Sequence, residues 1–306
     1  MHACPGSDDA GVSRISRRAA LRSAAGLGLV FLPGCTSMRS WLRGPADPFA
    51  SQPCVLPPDA TVEQVVAHLN QNVDRLQSWR AHGVGIRVKG IPFPLNGDLA
   101  VQKGRRLRLM VNSIGGTEVD LGSNEHLFWF WAKQNKQPHV YYARHEDADL
   151  AVRQLNLPFE PQWLMEAFGL SPYDFQQLRL QPGMQPGTVQ LVSDHVLNNG
   201  WQVRQIVVVD LCRGLVREHT LWDSARNGKI IASARLGEHF IDPQTGVVLP
   251  RRIELDWPQA EMSLAMEFGA IQVNPPALPE QLWEMPVLPQ TQAVNLGRSA
   301  RASLDD

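Results

Sequence analysis

Arg106-Leu107-Arg108-Leu109-Met110-Val111, a short turn through Ser113-Ile114-Gly115-Gly116, and Thr117-Glu118-Val119-Asp120-Leu121 form the stretch on which the fold turns. Apolar and polar residues alternate on both sides of the turn, the period of a strand with one buried face. The two runs read as an antiparallel hairpin. Outward from it the same period recurs. Gly83 to Lys89 and Leu95 to Val101 precede it, and His126 to Trp131 and Val140 to Tyr142 follow. After a gap, strands resume at Val189 to Val196, Gln202 to Asp210, Val216 to Trp222, Lys229 to Phe240, Arg252 to Trp257 and Met262 to Val273.

The helical period is confined to two places. Val62, Val65, Val66, Leu69, Val73 and Leu76 give one apolar helix face behind a Thr61/Gln64 capping box, and Trp79 is expected to close that helix. In the gap between the two strand runs, Pro161 to Phe168 reads as a short helix stopped by Gly169. Ser171-Pro172-Tyr173-Asp174-Phe175 reads as the start of another, with Ser171 as its cap. Strands and helices do not alternate, which argues against a parallel sheet. The expected fold is mainly β: a single strongly curved antiparallel sheet, an incomplete β-barrel, with an N-terminal helix and short lid helices on the concave side.

Hydrophobic content of 43% and charged content of 19% describe a globular chain, and a net charge of -1 supplies no basic face for nucleic acid. The four cysteines are Cys4, Cys35, Cys54 and Cys212. Cys54 and Cys212 could form one disulfide in an oxidising compartment, but the Pro-rich setting of Cys54 favours two free thiols. No Cys/His spacing suits a metal, and nothing calls for a cofactor.

The N-terminus carries an address. Ser16-Arg17-Arg18-Ala19-Ala20-Leu21-Arg22, an apolar run from Ala24 to Leu32, and Leu32-Pro33-Gly34-Cys35 follow in order. This resembles a bacterial lipoprotein signal, with cleavage before a lipidated Cys35 and a twin-arginine-like export motif. An ordinary secretory peptide with an incidental cysteine is the alternative. The apolar run, about ten residues, is half of the roughly 20 needed to span a bilayer. The resemblance implies a membrane lipid anchor at Cys35. Thr36, in place of Asp, favours the outer membrane, with the protein facing the periplasm. The resulting division is a signal peptide at 1–34, the lipidated Cys35 and a flexible tether at 35–60, one domain at 61–285, and a disordered tail at 286–306.

The strand and helix layout from 61 to 285, with the hairpin Leu107 to Val119, resembles the LolA/LolB lipoprotein-carrier family. That resemblance implies a half-barrel enclosing a hydrophobic cavity for a lipid or a lipoprotein acyl chain. It also implies a membrane-touching loop, whose apolar tip here is Ile114. Asp120-Leu121-Gly122-Ser123-Asn124 and the aromatic strand after it depart from the family pattern.

Phe128, Trp129, Phe130 and Trp131 place aromatics on both faces of one strand, so both faces must be covered, one by core or helix and one by ligand, or both by core. Cavity and lid candidates are Trp129, Trp131, Trp163, Leu164, Phe168, Tyr173 and Phe175. No Gly-x-Ser-x-Gly elbow or phosphate-binding loop is present, and Asp194/His195 and Glu218/His219 are strand neighbours that point to opposite faces, so no catalytic residue is assigned. The leading reading is a non-enzymatic lipid- or acyl-chain-binding lipoprotein that works by lid-helix opening. The alternative is an envelope scaffold with a filled core that holds a partner protein, and a dispersed hydrolase using His195 and His219 stands behind both.

Overall fold

Alternating side chains become alternating faces in the computed structural model. In β3 (Arg106–Ser113), Leu107, Leu109 and Val111 are buried against the core, while Arg106, Arg108 and Met110 turn to the other side. The structure describes residues 49, 53–133, 139–148, 161–196, 202–224 and 228–297. The signal, Cys35 and most of the tether lie outside the described residues, as do 298–306.

Two meanders build one sheet. The first runs through β1 (Ser78–Val88), β2 (Leu95–Gln102), β3, β4 (Gly116–Ser123), β5 (Leu127–Ala132) and β6 (Val140–Arg144). The second runs through β7 (Arg179–Pro182), β8 (Thr188–Val196), β9 (Gln202–Asp210), β10 (Leu215–Asp223), β11 (Lys229–Ile241), β12 (Val248–Trp257) and β13 (Met262–Glu267). They join where β13 pairs antiparallel with β1, Val88 opposite Leu264 and Gly85 opposite Glu267. β14 (Ile271–Val273) continues along β1 at Trp79 to Ala81. The sheet is large, open and curved, not closed. A register shift between Ala81 and Val84, with Gly83 at φ +62°, bulges β1 at its middle, and such bulges increase local twist and bend a strand.

Helix α1 (Val62–Arg75) forms as its sequence dictates. The capping box is present: Thr61 N donates to Gln64 Oε1 at 2.9 Å, and Gln64 N donates to Thr61 Oγ1 at 3.4 Å. Val65, Val66 and Leu69 are buried with Val189 and Leu191 of β8 and Val207 and Val209 of β9. Trp79 does not end the helix; the chain turns at Leu76 and Trp79 is the second residue of β1. Helix α2 (Pro161–Ala167) packs Trp163, Leu164 and Met165 into the main core with Trp79 and Ile86 of β1. The expected helix at Ser171 is only a 3₁₀ turn, Phe175–Gln177, capped by Asp174, whose carboxylate accepts from Gln176 N at 3.0 Å.

Three expectations are corrected. Cys54 and Cys212 are joined in a disulfide. Residues 53–56 are not loose tether there: Val55 N donates to Cys212 O (2.9 Å) and Leu56 N to Leu211 O (3.1 Å). The backbone pairing carries Cys54 to its partner, which Pro-rich composition alone does not reveal. The segment from 286 to 297 is also ordered. Met285 and Leu288 pack on Trp129 and Trp131, and β15 (Ala293–Asn295) pairs parallel with β6.

The stretch leading into that C-terminal strap, residues 280–284, is fastened by the outward arginines of β3. Arg106 donates to Glu280 Oε1 (2.8 Å), and Arg108 donates to the carbonyls of Leu282 (3.1 Å) and Glu284 (2.9 Å). Asn124 Nδ2 adds a bond to Trp283 O (3.0 Å). Elsewhere the outer face is charged: Arg87, Glu267, Arg252, Glu254 and Arg235 form a chain of ion pairs across β1, β13, β12 and β11.

Candidate functional site

The concave face is not filled at one end. Val88 is the last residue of β1, Leu95 the first of β2, Ser113 the last of β3, Trp257 the last of β12 and Met262 the first of β13. These strand ends, with Leu109, Val111, Val119, Leu121, Phe128, Phe130 and Leu264, line a cavity of about 730 Å³. That volume lies within the roughly 300–1,000 Å³ of ordinary ligand sites. Among the described residues its lining is apolar apart from the Trp257 indole, Ser113 and Glu118.

Ser113 and Glu118 sit at the β3–β4 hairpin and satisfy one another. Ser113 Oγ donates to Glu118 Oε1 (2.6 Å) and accepts from Gly115 N (3.0 Å). Lys133 Nζ donates to Glu118 Oε1 (3.2 Å) and to Gly115 O (3.1 Å). These bonds close the hairpin tip, and Ile114 at its end is fully exposed. Phe93, in the β1–β2 connection, is half exposed. Ile114 and Phe93 both line the cavity, so its mouth is an exposed apolar rim.

No protein-family model matches the chain, and no curated protein matches it. Solved structures do. A domain described as an outer membrane lipoprotein-sorting protein from Vibrio parahaemolyticus is 11% identical, with 72% of this chain and 97% of that chain covered and a TM-score of 0.48. A LolA superfamily protein from Nitrosomonas europaea is 11% identical (74% and 98% covered, TM-score 0.46). A DUF1329 family protein from Desulfovibrio piger is 10% identical (73% and 95% covered, TM-score 0.48).

Within this sheet the sequence candidates scatter. Ile114 is at the cavity mouth. Trp129 and Trp131 lie on the opposite face of β5, beneath the C-terminal strap, and do not line the cavity. Trp129 Nε1 donates to Asp120 Oδ1 (3.0 Å), Arg108 pairs with the same carboxylate (2.6 Å), and the guanidinium stands 5.5 Å from the indole centroid. Gly122 makes room for that indole. The unfamiliar Asp120 to Asn124 run is therefore the seat of Trp129 and the strap. Trp163 and Leu164 are core residues, Trp163 meeting Trp257 edge-on at 6.3 Å. Phe175 is exposed and lines neither cavity.

Phe168 and Tyr173 line a second, smaller cavity of about 240 Å³. It lies between α1 and the opposite ends of the strands, with Leu215 and Val216 starting β10, Ile241 ending β11 and Val248 starting β12. Val248 and Trp257 are at the two ends of β12, about 30 Å apart at 3.3–3.4 Å per residue. His219 lines this second cavity. Burial without a counter-charge pushes its pKa down to about 4, so the imidazole is neutral at neutral pH. Burial, with the nearby Glu166 charge, pushes the Tyr173 phenol up.

Apart from Ile114 at its mouth, the residues that wall the large cavity were not among the candidates. Leu109, Val111, Val119 and Leu121 carry the same period-two signal as any core strand. Only Phe128 and Phe130 stand out in the sequence, through the requirement that both faces of their strand be covered.

Proposed function

We propose that this chain is a lipid-anchored protein of the bacterial cell envelope that holds an apolar chain, from a lipid or the acyl group of a lipoprotein, non-covalently in the larger cavity. The observation that carries this is the apolar cavity of about 730 Å³ opening at Ile114 and Phe93. Binding there would draw on apolar burial at about 25 cal/mol per Å² and needs few polar contacts. The exposed hairpin tip is placed to enter a bilayer while the mouth beside it takes up or releases the chain. The Cys54–Cys212 disulfide supports an oxidising compartment, and the Cys35 signal supports anchoring, with the outer membrane favoured by Thr36. A scaffold with a concave face plugged by Trp and Phe fits less well, since beside Trp257, Phe128 and Phe130 a cavity of about 730 Å³ remains open.

The test is displacement from the cavity. Delipidated protein is titrated with a fluorescent fatty acid, alongside Val111→Trp and Leu264→Trp, which fill the space from two strands. At least a tenfold loss of affinity in both folded variants is expected. Undiminished binding in both would place any acyl chain elsewhere, and no binding to the unsubstituted protein would reject the reading.

A further inference from the structure

We propose that the larger cavity takes one acyl chain at a time, from a single-chain amphiphile such as a fatty acid or a lysophospholipid. It does not enclose the paired chains of a membrane phospholipid or the three of a triacylated lipoprotein. The proposal rests on the acyl-chain reading of that cavity and narrows it to a substrate class.

Capacity is the first constraint. An apolar cavity of about 150 Å³ takes one benzene, which sets roughly 25 Å³ per enclosed carbon. At that figure the cavity of about 730 Å³ holds roughly 29 carbons. The count is a ceiling. A methylene carries one hydrogen more than an aromatic carbon, and part of the volume lies at the open mouth beside Ile114 and Phe93. One chain of about 16 carbons fills roughly half of the space, whereas two need about 32 and three about 48.

The walls leave no reserve of space. On β3 the lining residues are Leu109, Val111 and Ser113, and the next residue inward on that face, Leu107, is buried in the packed core. Depth along β3 is therefore about 13 Å, at 3.3–3.4 Å per residue. Leu99, opposite Leu109 on β2, is buried in the same core and closes the floor. On the β12 side the wall is Trp257, backed by the buried Trp163 of α2 with ring centroids 6.3 Å apart. A second chain would have to push these side chains into an interior that is close-packed and has few voids to receive them.

Polarity is confined to one end. Ser113 and Glu118 belong to the hairpin at the mouth, where the hydroxyl donates to the carboxylate at 2.6 Å and Lys133 donates to it at 3.2 Å. A chain that enters tail first leaves its headgroup at this rim. The number of chains, rather than the headgroup, then decides acceptance.

The experiment is native mass spectrometry of the full chain, freed of bound lipid. The protein is mixed in one detergent with equimolar palmitic acid, palmitoyl-lysophosphatidylcholine, dipalmitoylphosphatidylcholine and a tripalmitoylated cysteinyl peptide. One palmitic acid or one lysolipid per protein is expected, at least tenfold more abundant than either multi-chain adduct, and the ratio of the two single-chain adducts names the source. Val111→Trp, which fills the cavity, should abolish both. Phe130→Ala and Trp257→Ala, which widen the cavity from its two flanks, should lower the tenfold preference in whichever variant still unfolds cooperatively in urea. Two palmitic acids per protein, or a multi-chain adduct within tenfold of the single-chain ones, each lost with Val111→Trp, would overturn the proposal and leave the acyl-chain reading in place. No adduct at all, or single-chain adducts that survive Val111→Trp, would overturn both.

Discussion

The indole of Trp129 lies across Gly122 on the neighbouring strand: a Cβ on residue 122 would stand 2.0 Å from Cζ2 of Trp129. The glycine is thus a receiving surface, and it lets Trp129 Nε1 reach Asp120 while Arg108 pairs with the same carboxylate. Gly122→Ala should therefore force the indole off its seat and loosen the strap above it. Overpacking of this kind costs about 1–3 kcal/mol. A urea midpoint lowered accordingly at constant slope, with altered near-ultraviolet dichroism, is expected. An unchanged midpoint would show that Trp129 can be reseated without loss.

The disulfide between Cys54 and Cys212 spans 158 residues of sequence. Closing so long a loop restricts the unfolded chain, and removing such a bridge costs typically 2–5 kcal/mol. Cys54→Ala/Cys212→Ala should lower the melting temperature, and the oxidised protein should resist alkylation at both positions until reduced. Alkylation of either cysteine without reductant would contradict the pairing.

His219 ties stability to pH. Its folded pKa, about 4, lies below the ordinary 6.5, so between these values the unfolded state binds the proton and the folded state does not. The associated stability is full above about pH 6.5 and is lost as pH falls toward 4, in an amount of roughly 3 kcal/mol. Urea denaturation at pH 7.5 and 4.5 should show a smaller acid loss for His219→Phe than for the unsubstituted protein. Carboxylates held low by arginine, such as Asp194 and Glu254, are present in both and cancel in the comparison. Equal losses would mean that His219 protonates freely in the fold.

The strands were legible because burial on one face of a sheet imposes a period of two, and Leu107, Leu109 and Val111 keep it without interruption. Helix α1 was legible through Thr61 and Gln64, a local signal that needs no tertiary partner. What sequence could not show was which distant segments meet. Residues 286–297 look like a tail by composition, yet Leu288 packs with Trp129 and Trp131, and Ala293 to Asn295 pair with Val140 to Tyr142. The cavity was illegible for a related reason. Leu109 facing a void and Leu107 in packed core have the same local pattern, and only the curvature of the whole sheet separates them. Ile114 was picked out through the resemblance of its hairpin to a family pattern, and its full exposure follows from its place at the tip of a tight turn.

The junction of β1 with β13 has a consequence for how the chain reaches this state. Each meander is made of sequence neighbours and can pair as it emerges, but β1 keeps one bare edge until residues 262–273 exist. Such distant pairing is slow, because loop-closure entropy is lost before any contact compensates it. For most of synthesis the first meander must therefore wait with an open hydrogen-bonding edge at Ser78–Val88. The bulge at Gly83 and the charge of Arg87 in that strand are then safeguards against premature pairing with another chain.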